Sequence, residues 1–349
     1  MTSSRRVVYE VFEEGSSTRI PLHIESDNKD EEYALGDIVG VGAKYSEWRE
    51  FYRKGGPYAR KPGERLRFWI ERVSAGEYQW PELSDFVSKS IESFEEKARK
   101  YARERFIIFK ILGPTETAES FFAPKPSESL LKVGQIAHSY GFAVCLKLKR
   151  QLAVKIYDKI CNYILETIKA GAEIDYVDAV RIADDMAGYT GPLYPTNFIR
   201  EKYIEWHRKF VEAIKKRCKY AILHCDGDLT REKLITLLSE VYDGLHPLDL
   251  CPKSTVKAAE KWVEKVAEAR LMVGREIVFF TGVPVDLVFN RLVEVEEFVK
   301  IPMKLVNLLK GRHLILATTH SPYPGRGFHE RLPLEKIIAL RKKLLKLVS

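Results

Sequence analysis

Five apolar runs in the second half of this chain each stop at a cluster of polar, chemically capable side chains. Ala179–Ala183 runs into Asp184 and Asp185, and Tyr220–Leu223 into His224, Cys225, Asp226, Gly227 and Asp228. Gly244 and Leu245 lead to His246 and Asp249, Ile277–Thr281 to Asp286, and Leu314–Thr319 to His320. Helix-length amphipathic stretches separate the runs. Short apolar runs fit strands covered on both faces, and their alternation with helices fits a parallel sheet. A parallel (β/α) barrel carries its functional side chains at the C-terminal ends of its strands, where these polar exits fall.

Reading for β-branched and aromatic runs bounded by Gly, Pro and Asp predicts eight strands. They lie near Arg19–Ile24, Asp37–Val41, Phe106–Leu112, Val177–Ala183, Tyr220–Leu223, Asp243–His246, Glu276–Thr281 and His313–Ala317. Helices are expected over Val154–Ala170, Asn197–Arg217, Arg231–Val241, Thr255–Ala269, Leu287–Leu309 and Leu334–Leu347. The expected fold class is α/β: a single (β/α)8 TIM barrel with an N-terminal extension and a long insertion after the second strand. That insertion, from about Gly42 to Arg105, exceeds one crossover and contains Trp48, Phe68, Trp69 and Trp80. It reads either as a lid over the barrel mouth or as a subdomain whose aromatics make its own small core. No internal repeat beyond the βα alternation and no low-complexity linker divides the 349 residues, so one domain is expected.

The formal charge of +8 raises the possibility of a nucleic-acid ligand. Most basic residues, however, are interleaved with acids at helical spacing, as in Glu95–Arg105, which reads as a solvated helix face. Lys215-Lys216-Arg217 and Arg341-Lys342-Lys343 are less neutralised and suit an acidic partner protein. No nucleic-acid-binding signature is present, no apolar run is long enough for a membrane span, and the N-terminus has no apolar signal core. The five cysteines include no C-x-x-C pair, which points to free thiols in a reducing, cytoplasmic setting. Three glutamines against many Lys, Arg and Glu resemble a heat-adapted, thermophile composition. A monomer or homodimer is expected.

Asp184-Asp185-Met186-Ala187-Gly188-Tyr189-Thr190-Gly191-Pro192-Leu193, a helix, and then Ile222–Leu229 together resemble the uroporphyrinogen decarboxylase superfamily. That superfamily includes methyltransferases that exchange methyl groups with corrinoid proteins. Asp243–Leu248, His313–His320 and Leu332–Glu335 look like its later strands and last helix start, in the same order. The resemblance runs from Val177 to the C-terminus and extends more weakly over the N-terminal half. In the decarboxylases an Arg-rich motif after the first strand binds the porphyrinogen carboxylates, whereas this chain reads Ile24-Glu25-Ser26-Asp27-Asn28. Acids at that position repel a substrate bearing many carboxylates.

In the methyltransferase branch a His-x-Cys-Gly exit and a later Cys hold zinc. The matching positions here are His224, Asp226 and His320, with Cys225 one place off and turned away by strand alternation. The resemblance thus implies a divalent metal, zinc or the iron that two histidines and one carboxylate also suit. It further implies Asp185 and Tyr189 as residues shaping or protonating a substrate, and a role in catalysis for His320. His246, before Pro247, reads as a packing residue. The leading expectation is a metal-dependent methyltransferase-like enzyme moving a methyl group between a small donor and a corrinoid protein. The alternatives are a uroporphyrinogen decarboxylase or related decarboxylase using Asp185, Tyr189 and His320 without metal, and a non-enzymatic corrinoid- or porphyrinoid-binding protein.

Overall fold

The structure, a computed structural model, describes residues 3–76, 78–127, 140–273, 276–320 and 334–346. Eight parallel strands form a TIM-type barrel, in chain order β1 (Leu22–His23), β2 (Ile38–Gly42), β3 (Phe106–Leu112), β4 (Ala179–Ala183), β5 (Tyr220–Cys225), β6 (Gly244–Pro247), β7 (Val278–Val283) and β8 (Leu314–Thr318). Each strand from β2 to β8 pairs in parallel with the next, and β8 pairs with β1. All eight strands lie where the sequence pattern places them. The first is shorter than expected, because Arg19 leaves the strand to form an ion pair with Asp37.

Asp37 also joins β1 to β2, with its N–H donating to the Leu22 carbonyl at 2.7 Å and its carboxylate accepting from Leu22 N at 3.0 Å. The arrangement recurs around the N-terminal end of the barrel. Asp178 before β4 takes the Ile107 N–H of β3 at 2.7 Å, and Asp243 before β6 takes the Ala221 N–H of β5 at 2.8 Å. These aspartates satisfy backbone donors where the ladders begin, where an unpaired buried N–H would be costly.

Strand alternation sorts the side chains into two shells. Ile38, Phe106, Ile108, Ala179, Ile222, Val278, Phe280, Ile315 and Ala317 fill the barrel interior. Val39, Ile107, Phe109, Val180, Leu223, Cys225 and Phe279 pack outward in the core that the helices share. The N-terminal extension is the helix Ser4–Glu14, whose buried Val7, Val8 and Val11 belong to the inner shell. It closes the barrel at the end opposite the polar exits. Arg5 and Tyr9 lock it there by donating to the buried Asp178 carboxylate at 2.6 and 2.5 Å. Tyr9→Phe removes one hydrogen bond to a charged acceptor and is expected to cost about 1.5–3 kcal/mol in urea unfolding. An unchanged midpoint would show that Arg5 alone secures the helix.

The insertion contains the helices Ser46–Lys54, Leu66–Ala75 and Leu83–Ala98. Its Trp48 lies 5.1 Å from Phe121 and 5.4 Å from Tyr163, ring centre to ring centre. Phe121 is on the helix that follows β3 and Tyr163 on the helix Arg150–Glu173, so the insertion's aromatics share a core with barrel helices. The stretch expected as one helix over Leu287–Leu309 is two, Val285–Phe289 and Val295–Leu309. Asn290 separates them by accepting Leu292 N through its side chain, an Asx turn that competes with helix. The helix after β4 opens with a π-helical turn at Ile199–Tyr203. No helix among the described residues is long and apolar enough to cross a membrane.

Candidate metal centre

The exits of β5 and β8 bring three sequence-predicted residues together. His224, Asp226 and His320 each offer one ligand atom, and these atoms lie within 4.8 Å of one another. His224 is an inward residue of β5, and alternation returns Asp226 to the same side two residues later. Gly227 then turns the chain at φ +96°, where a Cβ would lie 2.5 Å from the Ala187 carbonyl oxygen. His320 follows Thr319, whose N–H is held by the Val283 carbonyl of β7 at 2.9 Å.

The protonation of His224 follows from its hydrogen bonds. His246 Nε2 lies 2.9 Å from the Thr318 carbonyl oxygen, which can only accept, so His246 donates there. Burial, together with the charge of Arg181, pushes His246 down to about 3, so it is neutral and its Nδ1 is an acceptor. That Nδ1 is 2.6 Å from His224 Nδ1, which must therefore donate. Burial and neighbouring His246 also push His224 well below the usual histidine range. Its Nε2 is thus left with a lone pair, 4.0 Å from Asp226 Oδ1. A second ring nitrogen fixed in this way is how proteins orient a histidine that ligates metal.

Asp226 supplies the complementary observation. Its Oδ1 is buried and has no hydrogen-bond partner among the described residues. Burial and the nearby Asp249 push its carboxyl up to about 7. An acceptor atom of this kind, facing an imidazole lone pair, is repulsive as it stands and attractive around a cation. The residues therefore fit a divalent ion, with nitrogen and oxygen donors at the usual ~2.0–2.2 Å reached by small side-chain adjustments.

Of the paired aspartates, Asp184 is structural. Fully buried, it accepts Thr115 N at 2.8 Å and Glu116 N at 3.1 Å, and pairs with His207 Nε2 at 3.0 Å. It thereby caps the helix Pro114–Phe122. Gly113 permits the approach, since a Cβ there would lie 2.2 Å from Asp184 Cβ. Asp185 faces the centre, and its Oδ1 takes the Asp226 N–H at 2.7 Å. Burial and the Asp226 carboxylate raise its pKa well above the usual range, as burial and Asp185 do for neighbouring Glu116. Tyr189 stands at the rim and donates to Asp249 at 3.2 Å, while Asp249 also pairs with Lys253. Cys225 points into the outer core, away from the trio.

His246 orients His224, a role beyond the packing expected of it; only the fold reveals the contact, because the two residues are 22 positions apart. A second feature was also missed. Glu25 lies inside the barrel and pairs with both Lys110 Nζ, at 2.9 Å, and Arg181 Nη2, at 2.5 Å. Burial alone would raise Glu25, but the two cations hold it well below the usual carboxylate range. The signal was legible as a lone charge inside each apolar strand, Lys110 in Phe106–Leu112 and Arg181 in Ala179–Ala183.

No protein-family model matches the sequence, and no curated protein matches it. Among solved structures, a methyltransferase from Methanosarcina mazei superposes with a TM-score of 0.63 over 100% of both chains, at 12% identity. The β-glycosidase of the hyperthermophile Thermosphaera aggregans gives 0.43 at 11% identity, covering 92% of this chain and 86% of its own. At 12% identity the likeness to the methyltransferase is one of fold.

Proposed function

We propose that this chain is a metal-dependent methyltransferase-like enzyme that moves a methyl group between a small donor and a corrinoid protein. The observation that carries the metal is the chain of hydrogen bonds from Thr318 through His246 to His224, which aims an imidazole lone pair at the unpartnered oxygen of Asp226. The methyl-transfer part rests on the sequence resemblance and agrees with the fold shared with a methyltransferase. His224, Asp226 and His320 would hold the ion, zinc in the first instance. Bound there, it supplies Lewis acidity to a heteroatom, and ligands of nitrogen and oxygen leave it more electrophilic than thiolates would.

The protein's own residues supply the rest. Asp185 holds the Asp226 backbone, and His246 keeps His224 in the tautomer that presents Nε2. Glu116, which accepts the Asp185 N–H at 3.3 Å, and Asp185 itself are both shifted toward the protonated form and would give a proton to a departing heteroatom. Tyr189, fastened to Asp249, forms the outer wall. In the transfer the heteroatom–carbon bond breaks, cobalt(I) takes the methyl group with its own electron pair, and the heteroatom leaves with the bonding pair and gains a proton.

The test incubates zinc-loaded protein with cob(I)alamin and a series of methyl ethers, alcohols and methylamines, each with and without a carboxylate group. Formation of methylcobalamin, followed by its absorption spectrum, is expected with at least one donor class. Failure with every class, in protein carrying one zinc, would remove the methyl-transfer reading. Uroporphyrinogen is expected to show negligible turnover, because the two interior cations, Lys110 and Arg181, already share Glu25 and cannot balance the many carboxylates of that substrate. Coproporphyrinogen formed by metal-free protein would put the decarboxylase first.

A further inference from the structure

Below the metal centre, the barrel interior holds more positive than negative charge. Lys110 and Arg181 are both inward residues and share the single carboxylate of Glu25, which is 3% exposed. Glu32, the buried acid near Lys110, is paired with Lys29, and Asp226 faces His224 in the centre above, so at this level two cations share one anion where unpaired charge is costly. Arg181 is 5% exposed and gives Nη2 to Glu25, yet its Nε and Nη1 are buried without a hydrogen-bond partner among the described residues. His23, fully buried and two residues before Glu25, likewise has both ring nitrogens unpartnered. Buried donors of this kind are uncommon in a folded protein.

The surrounding positions leave room. Arg181 points inward, so Ala183, two residues on along β4, does too, and it is the register partner of His224. On β2 the inward positions beside Lys110 are Gly40 and Gly42. A Cβ at Gly40 would crowd the Lys110 side chain at 3.0 Å, whereas one at Gly42 would meet nothing nearer than 3.7 Å. This level is not sealed, because the Lys110 side chain remains 19% exposed.

We propose that Lys110 and Arg181 receive a single carboxylate of the substrate, so that the site takes a small methyl donor bearing one negative charge. A monoanion balances the one excess charge, which a phosphate dianion would overshoot. Arginine's planar fork suits a carboxylate's two oxygens, and Lys110 adds a point charge beside it. The carboxylate end of the donor would then lie deepest and its heteroatom nearest His224. Naming the donor class rests on the methyl-transfer reading, but the anion seat is measured without turnover, so the two can fail separately.

Acetate is the probe and neutral acetamide its control, titrated calorimetrically into the full chain in low-chloride buffer, with zinc content measured in parallel. Acetate is expected to bind saturably and acetamide not at all. Arg181→Met and Lys110→Met should each weaken acetate roughly tenfold or more, the scale of one hydrogen bond to a charged group, with zinc retained. Glu25→Gln should tighten acetate by a similar factor, because it removes the internal competitor for both cations. This opposite sign keeps the test decisive even where Arg181→Met does not fold. Acetate that fails to bind, or whose affinity ignores all three substitutions as for an adventitious ion only, would overturn the proposal. So would weaker binding in Glu25→Gln.

Discussion

Replacing His224 by alanine is expected to strip the protein of its divalent ion. Wild-type protein dialysed against zinc and then against buffer should retain about one ion per chain, and His224→Ala close to none. Three protein ligands are the minimum at which catalytic zinc sites are usually held, and two leave the ion poorly bound. Cys225→Ser is the matched control, since the thiol lies in the outer core while its neighbours His224 and Asp226 belong to the trio. His246→Ala should fall between them, losing affinity by roughly 10–100-fold, because the imidazole of His224 is then free to rotate and change tautomer. Elemental analysis reads all four proteins. An ion that survives His224→Ala and vanishes in Cys225→Ser would place the site on the other face of β5.

The largest loss of stability is expected from Asp184→Ala. The carboxylate accepts from Thr115 N, Glu116 N and His207, all of them buried or partly buried, and alanine leaves those donors without an acceptor. It also removes the negative charge at the start of the helix Pro114–Phe122. The expected cost is about 3–5 kcal/mol, visible as a lower urea midpoint at unchanged slope. Asp184→Asn keeps an acceptor oxygen and should lose less. A cost below ~1 kcal/mol would mean that the helix start is secured by other groups.

The barrel was legible because strands covered on both faces are written as apolar runs, and each run's polar exit marks its C-terminal end. His224, Asp226 and His320 were brought together in advance by the resemblance to a family whose matching positions hold a metal. What spacing could not convey was contact between strands. The bond between His224 and His246 and the Glu25 bridge to Lys110 and Arg181 depend on register around the barrel. Glu25 in particular reads as an acid in a loop until its burial is known, and then as the counter-charge of two strand residues. The roles of Asp184 and Asp185, adjacent in the chain, separate only when the helix capped by the first and the backbone N–H held by the second are seen.

The helix Ser4–Glu14 turns the barrel into a cul-de-sac. With Val7, Val8 and Val11 buried in the inner shell, the N-terminal end of the barrel offers no doorway, and traffic must use the rim where Asp185, Tyr189 and His320 stand. In the proposed methyl transfer, the small donor and the corrinoid protein would therefore approach from the same side. The donor, seated first, would lie beneath the acceptor, and its demethylated remnant would stay until the acceptor withdraws. For that reaction, binding order and release order would follow from a plugged floor, set by a helix on the far side of the barrel from the metal centre.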